Sequence, residues 1–211
     1  MGRELAYYWR YYKGVVCLMA VNILVFLWTE ITGGSQDTWH MVKMGAAYTP
    51  LIVNGGQWYR LFTCMFLHFG MAHLLNNMLS LAVLGERMEY AFGLVRFLLV
   101  YLLGGLCGNL FSLWWDIRCQ DFSGVSAGAS GAVFALLGSM LWVVLRNRGQ
   151  YAGISLQRFA IMAALSLYSG FASPGVNNVA HIGGFVGGFV LGIILYRPGS
   201  EHIGRRQRWK R

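Results

Sequence analysis

Charge is scarce in this sequence. Asp, Glu, Lys and Arg make up 12% of its 211 residues, against about a quarter in a soluble globular domain. The eight acids are absent where they would matter most: none falls in the central part of a long apolar run. Cysteine offers no zinc pattern, because Cys17, Cys64, Cys107 and Cys119 form no CxxC and share no His/Cys ligand spacing. Cys17 and Cys107 sit in apolar runs as small packing residues. Cys64 and Cys119 can share one outer face, but nothing in their spacing demands a disulfide. No small-residue cleavage site follows the first apolar stretch, so no removable signal peptide is expected. The chain also lacks an internal repeat and a soluble domain.

What is present is apolar. Hydrophobic residues make up 56%, mean hydropathy is +0.49, and there are 28 glycines, a residue that membrane helices tolerate and use for close packing. The expected class is an all-α polytopic membrane protein with six spans, near 11–31, 71–88, 97–115, 127–145, 159–176 and 179–196. Each has about the length needed to cross a hydrocarbon core of about 30 Å. An interfacial N-terminus (1–13) precedes the six-helix unit (14–196), and a basic tail (197–211) follows it. In the N-terminus, Arg3, Arg10 and Lys13 alternate with Tyr and Trp, which suits a short helix at headgroup level. The connection 32–69 is long and rather apolar, so it should carry short helices of its own and lean into the outer leaflet.

The formal charge of +9 does not point to nucleic acid, because the basic residues lie between apolar runs and not on one face. With both termini on one side, that side holds all but Lys43, Arg60 and Arg118 of the 17 basic residues. The positive-inside bias then makes both termini cytoplasmic. The tail 205–211 can attract anionic headgroups as well, although topology anchoring explains it.

Polar groups inside such runs invite a functional explanation. Ser130, His181 and His73 each fall some six residues outward of the middle of their expected span. At 1.5 Å per residue, all three lie about 9–10 Å from the midplane in one leaflet. A serine hydroxyl becomes a nucleophile when a base within hydrogen-bond reach takes its proton, and histidine is the usual base. With no intramembrane carboxylate to complete a triad, the expectation is a Ser130–His181 dyad. Phe134, four residues after Ser130, is placed to stack on the imidazole. His73 and Asn77 project from one helical face and, with the Ser130 backbone N–H, can form an oxyanion hole. No metal or cofactor is expected: His68 and His73 are five apart with no HExxH, and an aspartyl protease needs paired carboxylates.

Each of these residues also has a bland reading. Small residues such as Gly128 and Gly131 usually mark helix contact, and His68 and Asn76 can be satisfied polar residues. A non-catalytic protein that binds membrane helices is the main rival, and Ser130→Ala would leave its binding intact. A small-solute transporter would show repeat symmetry, which is absent.

Taken together, the motifs resemble the rhomboid family of intramembrane serine proteases. Gly128-Ala129-Ser130-Gly131 is similar to the family's GxSG, and Asn178-Val179-Ala180-His181-Ile182-Gly183-Gly184 to the motif around its histidine. His68 with His73-Leu74-Leu75-Asn76-Asn77 is similar to its second-helix motif, Trp58-Tyr59-Arg60 to its first-loop W-x-R, and Gly85-x-x-x-Glu89 to its helix-closing pattern. The resemblance runs from Trp58 to Tyr196. It implies a compact six-transmembrane-helix rhomboid-like bundle with a membrane-leaning first outer loop. Catalytic Ser130 and His181 are implied, with transition-state donors His73 and Asn77 and supporting His68, Phe134, Gly128 and Gly131. Implied partners are transmembrane-helix substrates, cut near the extracytoplasmic face, and the lipid bilayer of a bacterial plasma membrane. Sideways entry past the fifth helix, with connection 169–178 as a movable lid, is expected. Substrate identity and oligomeric state have no signature in the sequence.

Overall fold

Six helices of 17 residues or more carry the computed structural model, which describes residues 9–172 and 175–198. In chain order the helices are α1 (Lys13–Thr32), the short α2 (Thr38–Met44), α3 (Thr49–Val53) and α4 (Arg60–Thr63), then α5 (Gly70–Phe92), α6 (Leu94–Cys119), α7 (Ser130–Arg146), α8 (Leu156–Ala172) and α9 (Asn178–Leu195). Two small antiparallel pairs join them: β1 (Ala47–Tyr48) with β2 (Val125–Ser126), and β3 (Gln150–Tyr151) with β4 (Ile154–Ser155). The N-terminal anchor before residue 9, the tail from 199, and Ser173 and Pro174 of the expected lid lie outside the described residues.

By length and composition, α1, α6 and α9 can each cross a membrane. A fourth crossing is added if Arg60–Phe66 and α5, bent by 89° at their break, count as one span. α7 is shorter, at 17 residues, and it is the hub: every residue from Gly131 to Met140 is buried. A helix wrapped in protein need not match the lipid thickness itself.

Several helix ends differ from the expectation: α5 runs on to Phe92 and α6 spans Leu94–Cys119, against expected spans of 71–88 and 97–115, and α8 starts at Leu156, not at 159. α7 begins at Ser130, not at 127, because Val125 and Ser126 pair with β1 and Gly128 turns at φ +141° with its N–H on the Cys64 carbonyl, 2.9 Å. α8 ends at Ala172, not at 176, and Gly175 beyond it sits at φ +77°, outside helical space.

Glycine sets the spacing of the hub. On α9, Gly184, Gly188 and Gly192 recur every four residues and so form one stripe. That stripe meets Gly131, Ala135 and Ser139, which are equally spaced on α7. A methyl group at Gly184 would lie 2.2 Å from the Gly131 carbonyl oxygen, and one at Gly188 2.0 Å from that of Ala135. α6 closes on the same pair: a methyl at Gly108 would lie 2.6 Å from the Ala180 carbonyl oxygen. With no hydrophobic drive between helices in lipid, such close backbone approach supplies the packing energy.

The outer helices are tied by polar groups. Glu89 of α5 accepts from the backbone N–H groups of Gly14 and Val15, at 3.2 and 2.9 Å, placing a carboxylate at the positive end of α1. Connection 32–69 carries short helices as its length suggested. Asp37 caps α2 by accepting from the His40 N–H at 2.5 Å, and Gly45 ends it in the left-handed region. Arg60 is buried and donates from Nη1 to the carbonyls of Val42 (2.6 Å) and Ala46 (2.9 Å), while Nε donates to Gln57 (2.7 Å). The basic residue of the W-x-R triplet therefore fixes the loop from inside.

Candidate active site

Ser130 is the first residue of α7 and His181 the fourth of α9, so both sit at the ends where these helices receive the chain. Their separation follows from the glycine seam, which holds the two backbones in contact one turn further along. His181 Nε2 lies 2.8 Å from Ser130 Oγ, within the range of an O–H···N hydrogen bond. The Phe134 ring lies 4.2 Å from the imidazole at an interplanar angle of 13°, a stacked pair. His181 is buried, and among the described residues no side chain bonds its Nδ1. Among the described residues, then, no carboxylate bonds the far side of the His181 ring.

His73, the fourth residue of α5, approaches from the other side. A methyl on Gly128 would lie 2.7 and 2.8 Å from Cε1 and Nε2 of His73 and 3.7 Å from Ser130 Oγ. Gly128 is thus required twice, by its φ and by the ring above it. Asn77 is buried, and its Nδ2 donates to the His73 carbonyl at 3.1 Å, which leaves one amide hydrogen uncommitted. His68 lies beneath: its ring packs edge-on to His73 at 5.2 Å, and its Nε2 accepts from the Ala129 N–H at 3.4 Å. That contact ties His68 to the loop that precedes Ser130. Gly131 is less constrained than expected, since a methyl there finds its nearest atoms at 3.7 and 3.8 Å. That position matters for its carbonyl, which Gly184 meets.

All of this opens on one cavity of about 1150 Å³, lined by Ser130, His181, His73 and Asn77 and walled on two sides by α5 and α8. Because α7 starts at Ser130, its first backbone N–H groups have no partner within the helix and lie at the end that bears Ser130. Among the described residues no three His, Cys, Asp or Glu side chains converge as a metal site. All four cysteines are free, and Cys64 is buried with Asn109 Nδ2 donating to its sulfur at 3.1 Å.

Sequence reasoning missed two asparagines. Asn177 caps α9 by accepting from the Ala180 N–H at 2.9 Å. Its Nδ2 reaches the hydroxyls of Ser112 (2.7 Å) and Ser126 (3.1 Å), joining α9, α6 and β2 above the cavity. The available signal was an Asn directly before an apolar helical run, a frequent N-cap. Asn178 was read only as part of a motif. The β1–β2 pair, which ties the first loop to the segment before Ser130, had no signal in two-residue strands.

Comparison with known proteins agrees with this architecture. Residues 55–198 match the model of the Rhomboid domain. The chain is 38% identical over 188 residues to the rhomboid protease GluP of Bacillus subtilis, covering 89% of this chain and 36% of that protein. It is 45% identical over 169 residues to RHOMBOID-like protein 2 of Arabidopsis thaliana, covering 79% and 51%. With YdcA of Bacillus subtilis, named for the same family, it shares 32% identity over 186 residues, covering 88% and 89%. The chain thus spans about a third to a half of the larger relatives and nearly all of YdcA. It belongs to the rhomboid family and is a multi-pass membrane protein.

Proposed function

We propose that this chain is an intramembrane serine endopeptidase that cleaves transmembrane segments with a Ser130–His181 dyad. The observation that carries the reading is the 2.8 Å contact between Ser130 Oγ and His181 Nε2, both of which line the cavity. The name of GluP, a rhomboid protease, supports the same activity here.

The chemistry follows from the geometry. Nε2 takes the hydroxyl proton as Oγ attacks the scissile carbonyl carbon, and the carbonyl oxygen becomes an oxyanion. The Ser130 backbone N–H, the free Asn77 amide hydrogen and His73 receive that charge. A donor aimed at developing charge contributes about 3–4 kcal/mol where one has been removed and measured. His181 returns the proton to the leaving amine, which leaves an acyl-serine. Water then attacks the acyl carbon with His181 again as base, releasing the new carboxylate and restoring the serine. Phe134 holds the imidazole plane through these steps.

The substrate is a single membrane helix unwound locally by Gly, Pro or polar residues, because a helical peptide bond is shielded from attack. Entry between α5 and α8 is supported by their shared lining of the cavity, with Leu79 and Leu84 on one side and Leu165 on the other. The distribution of Lys and Arg supports six crossings with both termini cytoplasmic and cleavage near the extracytoplasmic face of the cell membrane. The boundaries 1–13, 14–196 and 197–211 remain those proposed for anchor, protease unit and tail.

Purified protein should cleave a transmembrane reporter and react with a fluorophosphonate, and Ser130→Ala should abolish both. His181→Ala should abolish cleavage. Cleavage that survives both substitutions refutes the dyad, and helix binding without labelling favours a non-catalytic role.

A further inference from the structure

For Nε2 of His181 to accept the Ser130 proton, the ring's own hydrogen must sit on Nδ1. That places a buried N–H donor on the side of the imidazole away from the nucleophile. His181 is 5% exposed, and its Nδ1 has no hydrogen-bond partner among the described residues. A second buried atom in the same situation is the Asn178 Oδ1, an acceptor with no donor among the described residues. Asn178 and His181 are three residues apart on α9, so their side chains project from one face. Both atoms look at one point on α8. A methyl at Gly170 would lie 2.6 Å from Asn178 Oδ1 and 3.3 Å from His181 Nδ1. The other half of the amide is already held, since Asn178 Nδ2 donates to the Gly170 carbonyl at 3.3 Å.

We infer that Asn178 is the positioning residue for the His181 imidazole, its Oδ1 accepting from Nδ1–H directly or through one bridging water in the space that Gly170 leaves open. The inference rests on the serine-protease reading of the site. Three features agree on it. A buried donor and a buried acceptor, each without a partner among the described residues, face the same gap, and buried polar groups are as a rule paired. An amide oxygen selects the required tautomer as an acceptor, yet it carries no charge to desolvate, whereas an ionised carboxylate would be costly to bury there. Finally, the amide is pinned by α8, so helix α8 contributes to the geometry of the base without touching it covalently or ionically.

The test uses the full chain in detergent micelles with a transmembrane reporter. Wild type is compared with Ser130→Ala, Asn178→Ala and Asn178→Asp, with kcat and KM measured across pH. Asn178→Ala should lower kcat about tenfold, the rate factor of one ordinary hydrogen bond, at unchanged KM. Asn178→Asp supplies a charged acceptor, which favours the imidazolium and should move the acid limb of the kcat profile to higher pH. A residue with only a packing role would lower the unfolding temperature and leave that limb in place. Histidine-selective 15N NMR gives a readout that needs no turnover. Wild type should show His181 protonated at Nδ1, and Asn178→Ala should shift that resonance. Unchanged kcat, an unmoved acid limb and an unmoved Nδ1 resonance would overturn the inference. If Ser130→Ala cleaves as fast as wild type, the protease reading fails instead, and the resonance alone decides whether Asn178 holds the ring.

Discussion

Replacing Gly188 with alanine tests the seam that brings Ser130 to His181. The added methyl would sit 2.0 Å from the Ala135 carbonyl oxygen and 2.4 Å from its Cα. Neither is a flexible side-chain end, so backbone must give way. Non-bonded carbon contacts settle at about 3.5 Å, so α7 and α9 have to separate by roughly 1–1.5 Å. Ser130 and His181 belong to the same two helices and are in contact at 2.8 Å. A separation of that size takes them beyond hydrogen-bond reach. Misplacement of reacting groups by about 1 Å costs about a hundredfold in rate, and overpacking of this kind costs about 1–3 kcal/mol of stability. Gly131→Ala is the control for stability, because its methyl would meet nothing closer than 3.7 Å. The assay pairs reporter cleavage with thermal unfolding in detergent. Gly188→Ala should lose most of its turnover and unfold earlier, while Gly131→Ala unfolds with wild type. Wild-type behaviour from Gly188→Ala would show that the two backbones do not meet there, and the account of how the dyad is assembled would fall.

Other perturbations read other parts of the fold. Arg60→Ala removes the donor to two buried carbonyls, those of Val42 and Ala46, and should destabilise by about 2–4 kcal/mol, seen as earlier unfolding and faster proteolysis within the first loop. Glu89→Gln keeps the shape but withdraws the charge that meets the Gly14 and Val15 N–H groups. A loss of about 1–2 kcal/mol is expected, and no change in unfolding would contradict the contact. Phe134→Ala removes the ring stacked 4.2 Å from His181 and should reduce kcat more than it raises KM, whereas an effect confined to KM would assign Phe134 to substrate binding.

The parts of this molecule that were legible in the sequence are those whose polarity contradicts their surroundings. Ser130, His181 and His73 stand out because they interrupt apolar runs, and their equal offsets along three runs pointed to a common site; the structure has all three lining one cavity. The long helices were legible because an extended apolar run has few alternatives, and by length and composition three of them, or four with the bent pair, qualify as crossings. The start of α7 was not, since Ala127 to Ala129 are as apolar as a helix interior. What excludes them from the helix is the pairing of Ser126 with Ala47, a contact between segments nearly 80 residues apart. Arg60 was legible as part of a triplet, but its target was not, because the Val42 and Ala46 carbonyls carry no sequence identity. Asn178 was hidden for the same reason: its meaning depends on Gly170 of another helix.

In the proposed reaction the oxyanion that forms in the cavity needs positive potential, yet a buried cation would itself be expensive in a membrane protein. The three elements that bear Ser130, His181 and His73 meet this requirement without one. Ser130 is residue one of α7, His181 residue four of α9 and His73 residue four of α5, so three helix N-terminal turns converge on a single cavity. Each such terminus carries roughly half a positive charge, worth about 0.3–1 kcal/mol to a nearby anion in exposed settings and more in a partly buried one. These dipoles are fixed by the packing before substrate arrives, so no reorganisation is needed as charge develops. The same positive helix ends disfavour the imidazolium that the proposed reaction forms at His181, and an acceptor on its Nδ1–H, such as the Asn178 amide oxygen, offsets part of that cost.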